Sequence, residues 1–581
     1  SPDIANAPTP CPMKILSTIL YSDEAVMAMI AGRAYCISNL PTGFDPNSSV
    51  ALFLSIIFLE ISVQSYQVLL RVATFPRKNL VFRQICSKFA PDFAKHPDKN
   101  MSQRPFLLIV FAMMSAVVLA AIHGSSPRVK YPGDKNYTFR VQLKDKRGCG
   151  FSIDKPKQFL SHKSIDRRHR FGIAIDSTDL PVSYQYLKEI RSEQLRIIGM
   201  SKWNNTVLVN CYDSSYMQRI RQLPFVESVT RVWTSPDSIT ARVRRSRKNR
   251  DGFNPWDSVA NVIYGKAHSQ VEALGGIRLH QQGYRGEGMT IAVLDGGFAE
   301  VDRKQVFKNI DIKGVKDFVY PSSVNFFNET DHGTKVLSAM AVNAPEVYIG
   351  TAPKASYWLL RCEDQQTEQP IEEDYWAMAA EFADSVGVDV INSSLGYYEY
   401  DNHYGDHPLW HLDGRTALIS RTASMLAGKG IILVNSAGNN GMGPWKKITF
   451  PADAHDILTV GAVTTENSNA PFSGVGNTAD GRIKPDVVAL GSPAVLVSSR
   501  GTVLEDMGTS FSTPLVCGLV ACLWQALPSL TPREIIELVR HSGDNDIHPD
   551  NIFGYGIPDF YKALMSGRKL HPDSSSKGGA E

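Results

Sequence analysis

MTIAVLDGGF, residues 289–298, is a nearly unbroken apolar run that ends on an acid and two glycines. A strand buried on both faces has no polar side to alternate with, so it reads as continuous Ile, Val and Leu. Outward from this run the same kind of text recurs: ASYWLLR at 355–361, VDVINSS at 388–394, GIILVNSAG at 430–438 and DILTVGAV at 456–463. Helical patterns separate these runs. In one of them Ile371, Tyr375, Ala379 and Phe382 fall at helical spacing. Apolar strands alternating with helices predict an α/β domain over about residues 262–568, with a mostly parallel sheet covered on both faces.

Four short motifs fall at the ends of these elements. Asp295 closes the first strand, where open α/β sheets place their sites; by itself it could equally cap a turn. DHGTKVLSAM, 331–340, puts His332 at the start of a helical pattern. VNSAGNNG, 434–441, lets the chain turn at a glycine and presents the Asn439 amide as a donor. GTSFSTP, 508–514, sets Ser510 before an apolar helix expected from Pro514 to Leu527. A serine there could act as a helix cap, as Ser512 or Thr513 also could. Asp, His and Ser in that chain order, with an Asn donor between His and Ser, match one of the known orders of a nucleophilic triad.

Together the segments LDGGF, DHGTKV, INSSLG, SAGNNG and GTSFSTP resemble the motifs of the subtilase family, in order, across residues 262–568. FPADAHDILTVGAV and RIKPDVVALG resemble its connecting segments. The likeness is to bacterial secreted subtilases with a long HPLWHLDGRT-type insertion after SSLG. It implies a subtilisin-like three-layer α/β fold and a serine endopeptidase. In it Ser510 would be the nucleophile, His332 the general base and Asp295 its orienting partner. Asn439 and the Ser510 N–H would meet the oxyanion. Ser394, Leu395 and Gly396 would pair with an extended protein or peptide substrate as an added strand. The chemistry requires no cofactor. Structural calcium is common in the family, but no oxygen-rich loop reads as a site, and no residue is assigned as a metal ligand.

Upstream, YTFRVQLKDK (137–146), TVLVNC (206–211) and VESVTRVW (226–233) read as strands, and Ser214–Leu223 as a short helix. This predicts a small α+β unit over residues 130–240, to which the resemblance assigns the role of an inhibitory prodomain; an independent binding module is the alternative. A basic linker, 241–261, carries Arg242, Arg244, Arg245, Arg247, Lys248 and Arg250 and suits proteolytic nicking. Residues 101–124 have the order of a signal peptide: Arg104, then an apolar run from Phe106 to Ile122, then small residues. The protein is therefore expected to be exported, with a membrane anchor only if the Met101 segment stays uncleaved. Residues 1–100 show no sustained period and are expected to hold no domain; 569–581 read as a tail.

The formal net charge of +3 gives no footprint for nucleic acid. Eight cysteines show neither zinc spacing nor a CxxC pair, and Cys517 and Cys522 read as buried apolar residues. His403, His407 and His411 with Asp401, Asp406 and Asp413 form a polar insertion. Gly405 and Pro408 break the helix that would line these histidines up as metal ligands. The rival functional readings are a catalytically weak peptide-binding relative and a membrane-anchored processing protease.

Overall fold

The computed structural model describes residues 128–131, 135–240 and 263–570. The upstream stretch 1–100, the signal-like segment 101–124 and the basic linker 241–261 lie outside the described residues, as do 571–581.

Seven strands form one sheet, and every neighbouring pair is parallel. Their order in space is Val487–Ser492, Leu458–Thr464, Ile432–Ser436, Val390–Ser393, Thr290–Asp295, Ser356–Arg361 and Asp311–Asp317. The apolar runs are continuous because alternate residues serve opposite faces. Ile291 and Val293 join one core, whereas Ala292 and Leu294 join the other. Ile432 and Val434 likewise face away from Ile431 and Leu433. Helices Thr509–Ala526 and His332–Ala341 belong to the first layer, and Ile371–Val386 and Leu418–Met425 to the second.

The chain lays down the first strand, moves out to 311–317, returns to 356–361, and then builds the other side of the sheet. The first strand is thus the switch point, and Asp295 ends it. In open α/β sheets, ligand-binding crevices open at such a switch point.

Helix Thr509–Ala526 is the one described helix apolar and long enough to cross a membrane, and 94% of that stretch is buried. It is the core helix of this domain. Leu515, Val516, Leu519, Val520 and Leu523 are fully buried on it, each worth about 1.5–3 kcal/mol. It starts at Thr509, not at Pro514 as the sequence pattern suggested. Cys517 and Cys522 are free and buried in it. At the far end, helix Phe560–Leu570 runs two residues into the stretch read as tail.

The upstream unit expected to be a prodomain is a four-stranded antiparallel sheet, ordered Arg196–Ser201, Thr206–Cys211, Tyr137–Leu143 and Val226–Thr234. One face packs on helices Tyr184–Ile190 and Met217–Arg221 through Val141, Leu187, Val207, Val209 and Ile220. The expected 214–223 helix is shorter, with a 3-10 turn at Ser214–Tyr216 before it. The other face lies on helix Ile371–Val386, where Leu208 and Val232 meet Ile371 and Met378.

Charged pairs complete that contact. Arg140 grips Asp374 with two N–H groups, at 2.8 and 2.5 Å. Arg168 donates to both Asp384 oxygens at 2.9 Å and to Asp179 at 2.8 Å, all three side chains fully buried. Glu381 accepts from the backbone of Lys202 and Trp203. Buried pairs of this kind gain little net stability when complete, but removing one partner costs about 3–5 kcal/mol. They therefore set how the prodomain sits more than how strongly it binds.

Candidate active site

Asp295 is fully buried at the end of its strand. Its Oδ1 accepts the Gly296 N–H at 2.8 Å. His332 opens helix His332–Ala341, and its Nδ1 lies 2.9 and 3.0 Å from the two Asp295 oxygens. The helix can approach this closely because residue 333 is glycine. A Cβ there would stand 2.4 Å from the Gly297 carbonyl oxygen and 2.9 Å from Asp295 Cγ.

The carboxylate fixes the imidazole tautomer: Nδ1 carries the proton that Asp295 accepts, leaving Nε2 for chemistry. Burial opposes charge on His332, but attraction to Asp295, the hydrogen bond to it, and then the charge of Glu363 outweigh burial. They push the histidine up to about 9.

Ser510 sits in the first turn of helix Thr509–Ala526 and is 6% exposed. It is not the helix cap. Gly508 holds that position, and Ser512 and Thr513 bond back to the Thr509 carbonyl at 3.1 and 2.7 Å. Pro514 lacks the N–H that would have reached the Ser510 carbonyl four residues back. That carbonyl accepts instead from Ser394 Oγ at 2.9 Å. In return Ser510 Oγ donates to the Ser394 carbonyl at 3.3 Å. Ser510 therefore bonds to the strand-end segment, and among the described residues no hydrogen bond joins it to His332. Free sites commonly hold such contacts loosely until substrate tightens them.

Asn439 lies just past Gly438, whose φ of +95° makes the turn that a side chain would strain. The Asn439 Oδ1 accepts from both the backbone N–H and the hydroxyl of Thr509, each at 2.9 Å. This pins the amide to the residue before Ser510. It also leaves Nδ2, an exposed donor, without a partner among the described residues.

Of the expected substrate-pairing residues, Ser394 is tied to Ser510, Leu395 turns its side chain into the core, and Gly396 is exposed.

Residues 286–556 match the model described as the subtilase family, Peptidase S8. Residues 138–250 match the Peptidase S8 propeptide domain of Bacteroidota. The chain belongs to the subtilase family. Subtilisin NAT from Bacillus subtilis subsp. natto is 29% identical over 300 residues, covering 51% of this chain and 69% of the relative. The subtilisin of Bacillus pumilus is 29% identical over 279 residues, covering 47% and 89%. Subtilisin Savinase from Lederbergia lenta is 25% identical over 279 residues, covering 48% and 91%. This subtilase is a serine endopeptidase with a propeptide domain in front of it.

The histidine-rich insertion does not gather into one centre. His403 faces Asp406 at 2.9 Å and Glu399 at 3.3 Å on the surface. His407 Nε2 instead donates to the buried Glu373 carboxylate at 2.9 Å. Two 3-10 turns, Asp401–His403 and Leu409–His411, replace the helix that would have aligned the histidines.

The sequence reading of this subtilase missed Glu363. It follows the strand Ser356–Arg361, and it fills the space a Gly296 side chain would need, its Oε2 being 2.4 Å from that Cβ position. The signal was present, since Arg361 pairs in register with Asp295 and places the next residues at the same sheet edge.

Proposed function

We propose that this peptidase cuts through Asp295, His332 and Ser510, with Asn439 Nδ2 and the Ser510 N–H binding the oxyanion. The observation that carries the reading is the pinned Asn439. Its amide oxygen is engaged by Thr509, so its free donor stands at the start of the helix that bears Ser510. Ser510 Oγ leaves the Ser394 carbonyl and attacks the substrate carbonyl carbon, while His332 Nε2 takes its proton. Asp295 stabilises the imidazolium. His332 then protonates the leaving amine, and water repeats the sequence on the acyl-enzyme. Ser394 to Gly396 offer the backbone edge for an extended peptide. A fluorophosphonate probe should label the wild type and not Ser510→Ala; equal labelling of both would overturn the assignment.

The pH profile of this reading follows from His332. A base must be neutral, so kcat/KM should rise with pH and reach half its plateau near pH 9, where the imidazolium gives up its proton. Glu363→Gln removes one of the charges that hold the proton on, and should move that limb to lower pH. A limb that stays in place in Glu363→Gln would show that the carboxylate does not act on the base.

The propeptide is proposed to inhibit the enzyme until it is cut away, and residues 101–124 to export the chain. Strand Val226–Thr234 of the prodomain ends against Gln369: Thr234 N–H donates to Gln369 Oε1 at 2.8 Å, and Gln369 Nε2 donates back to the Thr234 carbonyl at 2.9 Å. Gln369 lies on the same segment as Glu363. N-terminal sequencing of exported protein should find a precursor that begins just after the small residues near Ala120. A mature form should begin within or after the basic linker. A start inside 1–100, or active enzyme that keeps residues 130–240 covalently attached, would refute the respective step.

A further inference from the structure

Given the proposed roles of Asn439 as oxyanion donor and of Ser394 to Gly396 as peptide edge, the substrate residue that supplies the attacked carbonyl has a defined surrounding. Its side chain must enter between the segments that leave two neighbouring strands, Val390–Ser393 and Ile432–Ser436. Those strands are paired as far as Ser393 and Asn435. Beyond that level a third segment bonds to both. Thr449 N–H donates to the Ala437 carbonyl at 3.1 Å, and Phe450 and Tyr397 exchange two backbone hydrogen bonds, each at 2.9 Å. Thr449 is thereby the floor of the gap. A Cβ on Gly396 would stand 2.1 Å from Thr449 Oγ1, and a Cβ on Gly438 2.6 Å from it. The threonine hydroxyl therefore lies against the backbone of both segments.

Two properties of Thr449 decide what can enter. Its residue is 1% exposed and β-branched, so the side chain has neither the room nor the rotamer freedom to swing aside. Its hydroxyl has no hydrogen-bond partner among the described residues. A buried hydroxyl without a partner is costly, and a ligand that supplies the partner removes the cost. Beside the gap, Tyr398 stacks on Trp445 with ring centroids 4.6 Å apart, and Asn440 Nδ2 donates to the Tyr398 hydroxyl at 3.2 Å. The Trp445 indole N–H is itself held by the Ile448 carbonyl at 2.9 Å. This braced wall limits the width as Thr449 limits the depth. None of these residues is charged, so an ionised substrate side chain finds no counter-charge from them.

We propose that Thr449 closes the pocket for the residue on the acyl side of the scissile bond. It makes this subtilase select short, uncharged side chains there, Ser ahead of Ala and both far ahead of Leu, Phe and Lys. The depth ends at the threonine hydroxyl. A Leu or Phe side chain would have to displace it, and a tightly packed neighbour does not yield without strain. Serine brings a hydroxyl that can pair with Oγ1, whereas alanine leaves it bare.

The test measures kcat/KM of the matured enzyme on peptide anilides that differ only in the residue before the anilide. Ser and Ala should exceed Leu, Phe and Lys by at least about tenfold, and Ser should exceed Ala severalfold. Thr449→Gly deepens the pocket and should raise the ratio of Phe to Ala by at least about tenfold. Thr449→Val keeps the volume and removes the hydroxyl. It should keep the preference for short side chains and abolish that of Ser over Ala. Melting temperature and the rate of fluorophosphonate labelling show that each variant is folded with its nucleophile intact; should Thr449→Gly not fold, the wild-type profile and Thr449→Val still decide. A wild type that prefers Leu, Phe or Lys to Ala would overturn the proposal. So would a folded Thr449→Gly with an unchanged ratio, or a Thr449→Val that still favours Ser over Ala. In each of these cases cleavage that depends on Ser510 would leave the triad standing. Absence of Ser510-dependent cleavage on every substrate would overturn the triad and the pocket with it.

Discussion

Ser510→Ala is expected to lower kcat by about 10⁶, a size borrowed from the same change in a subtilisin. The loss is this large because the hydroxyl has no understudy. Ser512 and Thr513 follow Ser510 on the same helix, and both are committed to the Thr509 carbonyl. Neither can reach a substrate without unwinding the turn. A residual rate of about 10³–10⁴ over water should persist, since the oxyanion donors and the peptide edge remain. The variant should also fold as the wild type does. The one bond lost is Ser510 Oγ to the Ser394 carbonyl at 3.3 Å, a long contact, while the Ser394 Oγ bond to the Ser510 carbonyl survives. If maturation is autocatalytic, the variant should accumulate with residues 130–240 still attached. Single-turnover kinetics and gel mobility read both effects. A loss of less than about tenfold with an unchanged melting temperature would mean that another group attacks.

The fold was legible because its strands are buried on both sides. Runs such as TIAVLD and IILVNS cannot be surface text, and their spacing left only a parallel sheet between two helical layers. The site was legible for a related reason. Asp295, His332, Asn439 and Ser510 each sit where an apolar element meets a glycine, and the glycines at 333 and 438 are demanded by close approach and by a left-handed turn. The prodomain contact was not legible. Helix His162–Arg170, HKSIDRRHR, is densely charged, yet Arg168 is fully buried against Asp384, which lies 216 residues further on. Burial of a charge is decided by a distant residue, and local pattern carries no trace of it. The same holds for Thr449, which only the fold sets against Gly396 and Gly438.

Asn439→Leu is expected to lower kcat by about 10²–10³ and to leave KM nearly unchanged; the size is that of the equivalent change in a subtilisin. The argument turns on when charge appears. The substrate carbonyl is neutral, and its oxygen becomes anionic only as Ser510 adds to the carbon. A fixed N–H donor gains strength with that charge, so it favours the transition state over the bound substrate. Asn439 meets the requirement of being fixed. Thr509 donates twice to Oδ1, so the amide need not reorganise during the reaction, and its exposed position costs nothing in buried polar groups. Leucine keeps the bulk but removes both the donor and the acceptor. The Thr509 N–H and hydroxyl then lose their partner, so some stability should go with the rate, of the order of 0.5–1.5 kcal/mol for each hydrogen bond. Asn439→Asp separates the two roles. It keeps the acceptor for Thr509 but offers no donor, and it adds a negative charge where the oxyanion forms. The melting temperature should therefore stay close to wild type while kcat falls at least as far as in the leucine variant. If activity instead followed stability across the pair, with the aspartate variant active, Asn439 would be a structural brace for the turn and the oxyanion would be bound elsewhere.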